Sequence, residues 1–383
     1  MKNTKNLLLT ALSLVVLQSC SEDETIIHLD DEVALESSYN GTRLKTLSIV
    51  PKALGNDSAA YTWKLGNEVV GNEKVLGFVS EQAGSYNLSL EIKTAAGTKT
   101  YTTTVNIAQE TVTYSKHIAQ VFDFLPAVGQ FVNKLPAYTT GNSQTEMVAN
   151  AAADLVGSAP KVISLGGFGG YVVFGFDHTI VNKPNVRDFK ILGNGFAGSS
   201  EPGIIMVAYD KNKNGKPDED EWYEIAGSEY KNPNAIKNYT ITYQKPTVED
   251  EKPNNEYIKW SDNQGNSGFK VKNSFHKQSY YPLWFAQNEL KFTGTRLPDN
   301  YTDQSGNGTY WTGKQYAFGY ADNASNDSED SNIDIDWAVD KNGNPVKLMG
   351  IDFIKVYTAI NQEAGWLGEI STEVGGAYDL HIK

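Results

Sequence analysis

The 383 residues include a single cysteine, Cys20, so no disulfide can form within the chain. Five histidines, at 28, 117, 178, 276 and 381, show no mutual spacing suited to zinc, and no Gly-x-Ser-x-Gly elbow offers a serine nucleophile. Cations are in deficit. Against 46 Asp and Glu stand only 33 Lys and Arg, a formal charge of -13, which argues against nucleic acid as a partner because phosphate backbones need clustered Lys and Arg. Long apolar runs are scarce too: the segment Leu7 to Leu17 falls well short of the roughly 20 residues that span a bilayer. Glycine and aromatics, by contrast, are abundant, with 34 Gly, 21 Tyr, 15 Phe and 7 Trp. That composition suits turns and half-buried strands better than long helices, and the length suggests two or three domains, so a β-dominated body is expected.

Lys2 and Lys5 precede the apolar Leu7–Leu17 segment, which ends in Leu17-Gln18-Ser19-Cys20. The pattern resembles a bacterial lipoprotein signal peptide, which implies removal of residues 1–19 and lipidation of Cys20. Loss of the two lysines takes the formal charge from -13 to -15. An acidic tether follows at 20–29, and its Ser21-Glu22-Asp23-Glu24 start resembles the surface-export signal of Bacteroidetes lipoproteins. That resemblance implies an outer-membrane anchor facing the extracellular side; a solvated spacer is the alternative reading.

Residues 30–108 are expected to form a first domain. Tyr61, Trp63 and Leu65 alternate, as do Tyr86, Leu88, Leu90 and Ile92, then Tyr101, Thr103, Val105 and Ile107, the period of two of half-buried strands. Gly66-Asn67, Gly71-Asn72, Ala83-Gly84 and Ala96-Gly97 supply the turns. With Trp63 available for the core, the segment reads as an immunoglobulin-like sandwich and is similar to PKD-type domains, which implies a spacer or contact role.

A polar linker at 109–114 leads to a larger domain, 115–383. Val121, Phe124, Leu125, Val128 and Phe131 recur at helical intervals, and Ser143 with Glu146 forms a capping box ahead of Met147 and Val148, so one or two short helices are expected. Beyond Lys161 strands are predicted at 171–176, 187–192, 203–209, 239–243, 289–292 and 351–358, with Asn342-Gly343 as a hairpin turn before the last. The expected architecture is a jelly-roll-like β-sandwich.

The sharpest motif runs from Asp210 to Glu221. Numbered from Asp210, oxygen-bearing side chains fall at positions 1, 3, 5, 9 and 12 (Asp210, Asn212, Asn214, Asp218, Glu221), with Gly215 at position 6 and the Lys216 carbonyl at 7. A hard cation needs about 6–8 oxygens converging on one point, so the spacing predicts a calcium loop, joining strands because both flanks are strand-like. A solvated acidic turn is the alternative. A second acidic stretch, Asp322 to Asp336, fits no standard register. Leu165-Gly166-Gly167-Phe168-Gly169-Gly170 lacks the lysine of a phosphate loop and reads as a tight turn. Among the many aromatics between Tyr257 and Trp337, the adjacent pairs Tyr280-Tyr281 and Tyr310-Trp311 cannot both face one core on a strand. Tyr280, Tyr281, Trp284, Tyr310 and Trp311 are therefore expected to include an exposed ligand-binding surface.

Gly169 to His178, the loop with Trp222-Tyr223-Glu224-Ile225, Asp334 to Val339 and Gly350 to Thr358 together resemble Bacteroidetes cell-surface lipoproteins in which a PKD-like domain precedes a β-rich one. The resemblance implies a non-catalytic, calcium-stabilised module that captures a nutrient, a corrinoid or a glycan, beside a TonB-dependent transporter. A structural or adhesive surface module is the second reading. A calcium-dependent glycan hydrolase or lyase using Asp334 and Asp336 is the third.

Overall fold

The computed structural model describes residues 35–52 and 59–383. The expected leader, Cys20 and the expected acidic tether lie outside the described residues. The chain is mainly β, as expected, and its strands fall into separate sets of sheets.

In the smaller unit a five-stranded sheet runs in the order Ser38–Thr42, Gly97–Ala108, Gly84–Thr94, Ala60–Leu65, Glu68–Gly71, with the first pair parallel and the rest antiparallel. The antiparallel pair Leu47–Ile49 and Leu76–Phe78 covers its inner face. Leu88, Leu90, Ile92, Val105 and Ile107 point inward around fully buried Trp63, whose indole N–H donates to the Glu73 carbonyl at 3.0 Å. A one-residue slip would turn this whole set to solvent, so the alternation fixes the register. The result is an immunoglobulin-like sandwich.

The larger unit is built on a central antiparallel sheet ordered Ala338–Val339, Trp222–Ile225, Gly203–Ala208, Gly350–Thr358, Tyr171–Val181, Gln120–Leu125. Both of its faces are covered. Val172, Phe174, Ile205, Val207, Ile354 and Val356 pack under the helix Gln144–Leu155 and the short strands Phe189–Ile191 and Ala377–Asp379. Ile204 and Tyr357 point the other way, into a second core of tyrosines beneath a four-stranded outer sheet ordered Ser267–Lys272, Asn254–Asp262, Ile236–Gln244, Glu289–Arg296. Burial on both faces explains why 204–208 reads as an unbroken apolar run and not as an alternation.

The capping box forms as predicted: the Glu146 N–H donates to Ser143 Oγ at 3.3 Å, and the Ser143 N–H to Glu146 Oε2 at 2.7 Å. Met147, Ala151 and Leu155, four residues apart, are its buried face. The helical reading of 121–131 is corrected. Residues 120–125 form an edge strand, and a bulge shifts the pairing so that Val173 faces Asp123 while Phe174 faces Val121. The extra residue places Val121 and Phe124 in the same core three positions apart, which imitates a helix in sequence. The Asn342-Gly343 turn also forms, with Gly343 at φ +82°. It closes a short antiparallel bridge, Val339 with Pro345, but does not pair 338–339 with the last strand: Ala338–Val339 pairs with Trp222–Ile225, and Gly350–Thr358 enters the middle of the sheet.

Candidate functional site

The strand Gly203–Ala208 delivers the acidic loop and Trp222–Ile225 takes it back, Ala208 pairing with Trp222. The loop closes on its own acidic side chains. Asp210 Oδ1 accepts the Asn214 N–H at 3.0 Å and its Oδ2 the Gly215 N–H at 2.8 Å. The Asn212 and Asn214 amides both donate to Asp218 Oδ2, the latter at 2.7 Å. Glu221 is buried, accepting from the Lys211 and Asp218 N–H groups at 2.7 and 3.1 Å. Lys213 and Gly215, at φ +64° and +72°, make the reversal. Burial raises the Glu221 carboxyl above its ordinary range, with Asp210 and Asp218 adding to the shift and the two N–H donors opposing it. Three carboxylates and two amides on one turn suit a hard cation in composition.

This loop also abuts the smaller unit. Ser48 Oγ donates to the Lys211 carbonyl at 2.6 Å, Tyr209 Oη donates to the Val75 carbonyl at 3.1 Å, and the Tyr223 hydroxyl donates to Glu73.

The expected aromatic surface is not assembled from the residues named for it. Tyr280 and Tyr281 are each 1 % exposed, because they sit in a bend outside any strand and both enter the tyrosine core; their hydroxyls donate to the His276 and Gln287 carbonyls at 3.1 and 2.8 Å. Trp284 stacks on Phe124 and Tyr138 and donates to Gln144 Oε1 at 2.8 Å. It belongs to the helix side of the domain. Trp311 is half-buried, its N–H donating to the Gly308 carbonyl at 3.2 Å, whereas Tyr310 is 61 % exposed. That pair does divide between core and solvent.

An aromatic-walled cleft forms instead around Phe275 and Trp366, which the sequence reading passed over, and His276. Phe275, 68 % exposed, and Trp366, 53 % exposed, meet edge to face at 6.3 Å over a cavity of about 310 Å³. Trp366 donates to the Thr309 carbonyl at 3.3 Å, next to Tyr310. Phe131, His276 and Tyr301 complete the apolar wall, and Gln130, Asn273, Glu201 and Glu369 supply polar groups. Among the described residues His276 Nδ1 has no hydrogen-bond partner, and burial lowers the ring's pKa, with Lys134 adding to the shift.

Beneath this cleft lies an acidic cluster. Oxygens of Glu201, Asp322 and Glu373 lie within 4.8 Å of one another, a spacing open to either a cation or shared protons. Asp322 is held in left-handed backbone at φ +51° and accepts the Asn194 and Gly195 N–H groups at 2.7 Å each and that of Glu373 at 2.9 Å. Burial, followed by the charge of Glu373, pushes Asp322 up to about 8. Burial does the same to Glu201, which Glu373 and Asp322 drive well above the usual carboxylate range. Glu369 is likewise pushed up to about 8, by burial and then by Glu363. Only Asp322 of the second acidic stretch takes part: Asp334 pairs with Arg187, and Asp336 with Lys347 at 2.9 Å. Positions so far apart in sequence carry no local signal of the cluster.

No family model and no curated protein matches the chain. Among solved structures it is similar to tandem immunoglobulin domains of titin (23 % identity, 20 % of this chain and 46 % of that one, TM-score 0.16). It is also similar to a quinoprotein alcohol dehydrogenase-like protein of Bacteroides thetaiotaomicron (15 %, 64 % and 49 %, TM-score 0.19). The chain spans about half the length of these two. A third similarity is to a Bacteroides ovatus mixed-linkage glucan utilization SGBP-B bound to a heptasaccharide (12 %, 87 % and 98 %, TM-score 0.18). Overlaps at these scores carry no argument about ligand or chemistry.

Proposed function

We propose that this protein is a non-catalytic, surface-anchored ligand-binding module: lipidated at Cys20, stiffened by calcium at the Asp210–Glu221 loop, and binding a glycan in the cleft of the larger domain. The observation that carries the reading is the pair of exposed rings, Phe275 and Trp366, standing over a cavity with a polar floor. Sugar rings present apolar C–H faces and a rim of hydroxyls, so stacked aromatics beside buried carboxyl groups match them chemically. A volume near 310 Å³ suits one or two sugar rings, whereas a corrin macrocycle would have to rest across the rim. Delivery to a TonB-dependent transporter is the role this placement would serve.

Titration of the protein against an oligosaccharide panel and cobalamin, followed by tryptophan fluorescence and calorimetry, tests the reading. Saturable binding of a glycan is expected. Binding of cobalamin alone would transfer the site to corrinoids, and binding of neither would overturn it. A turnover assay on the same oligosaccharides tests the hydrolase alternative.

A further inference from the structure

A larger cavity, about 810 Å³, opens between the central sheet and the edge strand Glu289–Arg296 of the outer sheet. Trp222 and Tyr357 line it from the central sheet, Thr293 and Thr295 from the outer sheet and Tyr230 from the loop that follows Trp222–Ile225, and Lys355 projects from the middle of the central sheet between Met206 and Val173. The Lys355 ammonium lies 4.3 Å from the centroid of Tyr171, whose hydroxyl is already committed to Asp123 Oδ2 at 2.6 Å. Among the described residues it has no carboxylate within 4.0 Å and no hydrogen bond.

The other charges of the cleft are spoken for. Lys237 pairs with Glu224 at 3.0 Å and sits 3.3 Å over the Tyr230 ring. Glu224 accepts a further bond from Thr295 Oγ1 at 2.6 Å, and Asp340 accepts the Asn342 and Asn344 N–H groups at 2.8 Å each. Glu219 and Lys341 are exposed. Among the described residues Lys355 is thus the one cleft lysine that is neither exposed nor matched. Burial lowers its pKa, and Asp123 and Glu219 only partly oppose that shift. A half-buried ammonium whose opposite charges all lie beyond ion-pair distance gains from an anion that arrives beside it. The ring of Tyr171 satisfies one side of it and leaves its N–H donors free.

We infer that this cleft is a second ligand site, taking a small molecule that seats an oxyanion, carboxylate or phosphate, on Lys355 and lays its body between Trp222 and Tyr230. The site is separate from the Phe275–Trp366 cleft and stands or falls without it.

The test uses the full protein with D-glucuronate, inorganic phosphate and D-glucose as probes. Reductive methylation of Lys355, read by peptide mass spectrometry, is expected to slow about tenfold with glucuronate or phosphate and not with glucose. Whichever anion protects identifies the chemistry as carboxylate or phosphate. K355M should lose binding of that anion with its melting temperature kept, and K341M should retain it. Methylation at an unchanged rate with both anions, equal protection by glucose, or wild-type anion affinity in K355M would overturn the inference.

Discussion

The ring of Tyr209 lies so close to Gly77 that a Cβ at that glycine would stand 2.6 Å from Cδ2. Tyr209 immediately precedes the acidic loop, and Gly77 belongs to the covering pair of strands in the smaller unit. This contact, with Ser48 on the Lys211 carbonyl, ties the loop to the junction of the two units.

Gly77→Val should therefore destabilise the protein by about 1–3 kcal/mol, the usual cost of forcing extra methyl groups into a packed contact. Chemical denaturation measures it. A second, earlier transition is expected if the junction loosens before either core melts. Gly66→Val, in a turn where a Cβ meets nothing within 4 Å among the described residues, is strained there only by its own φ of +61° and should leave a single transition.

Calcium removal should lower the melting temperature. A ligand at a hundred times its Kd adds about 2.7 kcal/mol to the folded state, so EDTA is expected to shift the transition by several degrees and calcium to restore it. Asp210→Asn combined with Glu221→Gln should abolish the response. An unchanged melt with EDTA, together with no calcium by elemental analysis, would leave the loop held by its own N–H donors.

In the proposed glycan cleft, Trp366→Ala should weaken binding at least tenfold, about 1.4 kcal/mol, by removing one ring face. Tyr281→Phe should leave affinity unchanged, because that ring is buried and only loses a bond to the Gln287 carbonyl. Isothermal titration of both variants against the best glycan decides the matter.

Stability should fall as pH rises through neutrality. Asp322 and Glu369, pushed up to about 8, keep their protons when folded but release them near 4 when unfolded, so their contribution is full below about pH 4 and is lost as pH rises towards 8. His178 acts in the same direction. Burial works to lower its pKa, but Asp379 at 2.7 Å and Asp177 at 2.8 Å outweigh that and raise it, so its contribution is held below the ordinary histidine range and lost above it. Melting temperatures measured from pH 5 to 9 should decline, and Glu201→Gln, which removes one titrating carboxyl from the cluster, should flatten the decline. A flat wild-type profile would mean that a cation and not protons neutralises the cluster.

Much of the fold was legible in one dimension because burial on one face writes a period of two into the chain: the strands at 84–94 and 97–108 could be read from Leu88, Leu90, Ile92, Val105 and Ile107 alone. The capping box at Ser143 and the hairpin setting of the Asp210–Glu221 loop were equally local. The strand at 120–125 was not, since a bulge changes the spacing of inward residues to three and only pairing with 171–175 reveals it.

The sequence by itself determined the local features: strand periods, turn glycines and an oxygen-rich loop, each set by residues a few positions apart. Tertiary structure decided which aromatic rings meet solvent, and it alone gathered Glu201, Asp322 and Glu373, or left Lys355 unmatched in a cleft. Exposure and charge pairing depend on distances across sheets, and residues more than a hundred positions apart leave no mark of those distances in the order of the chain.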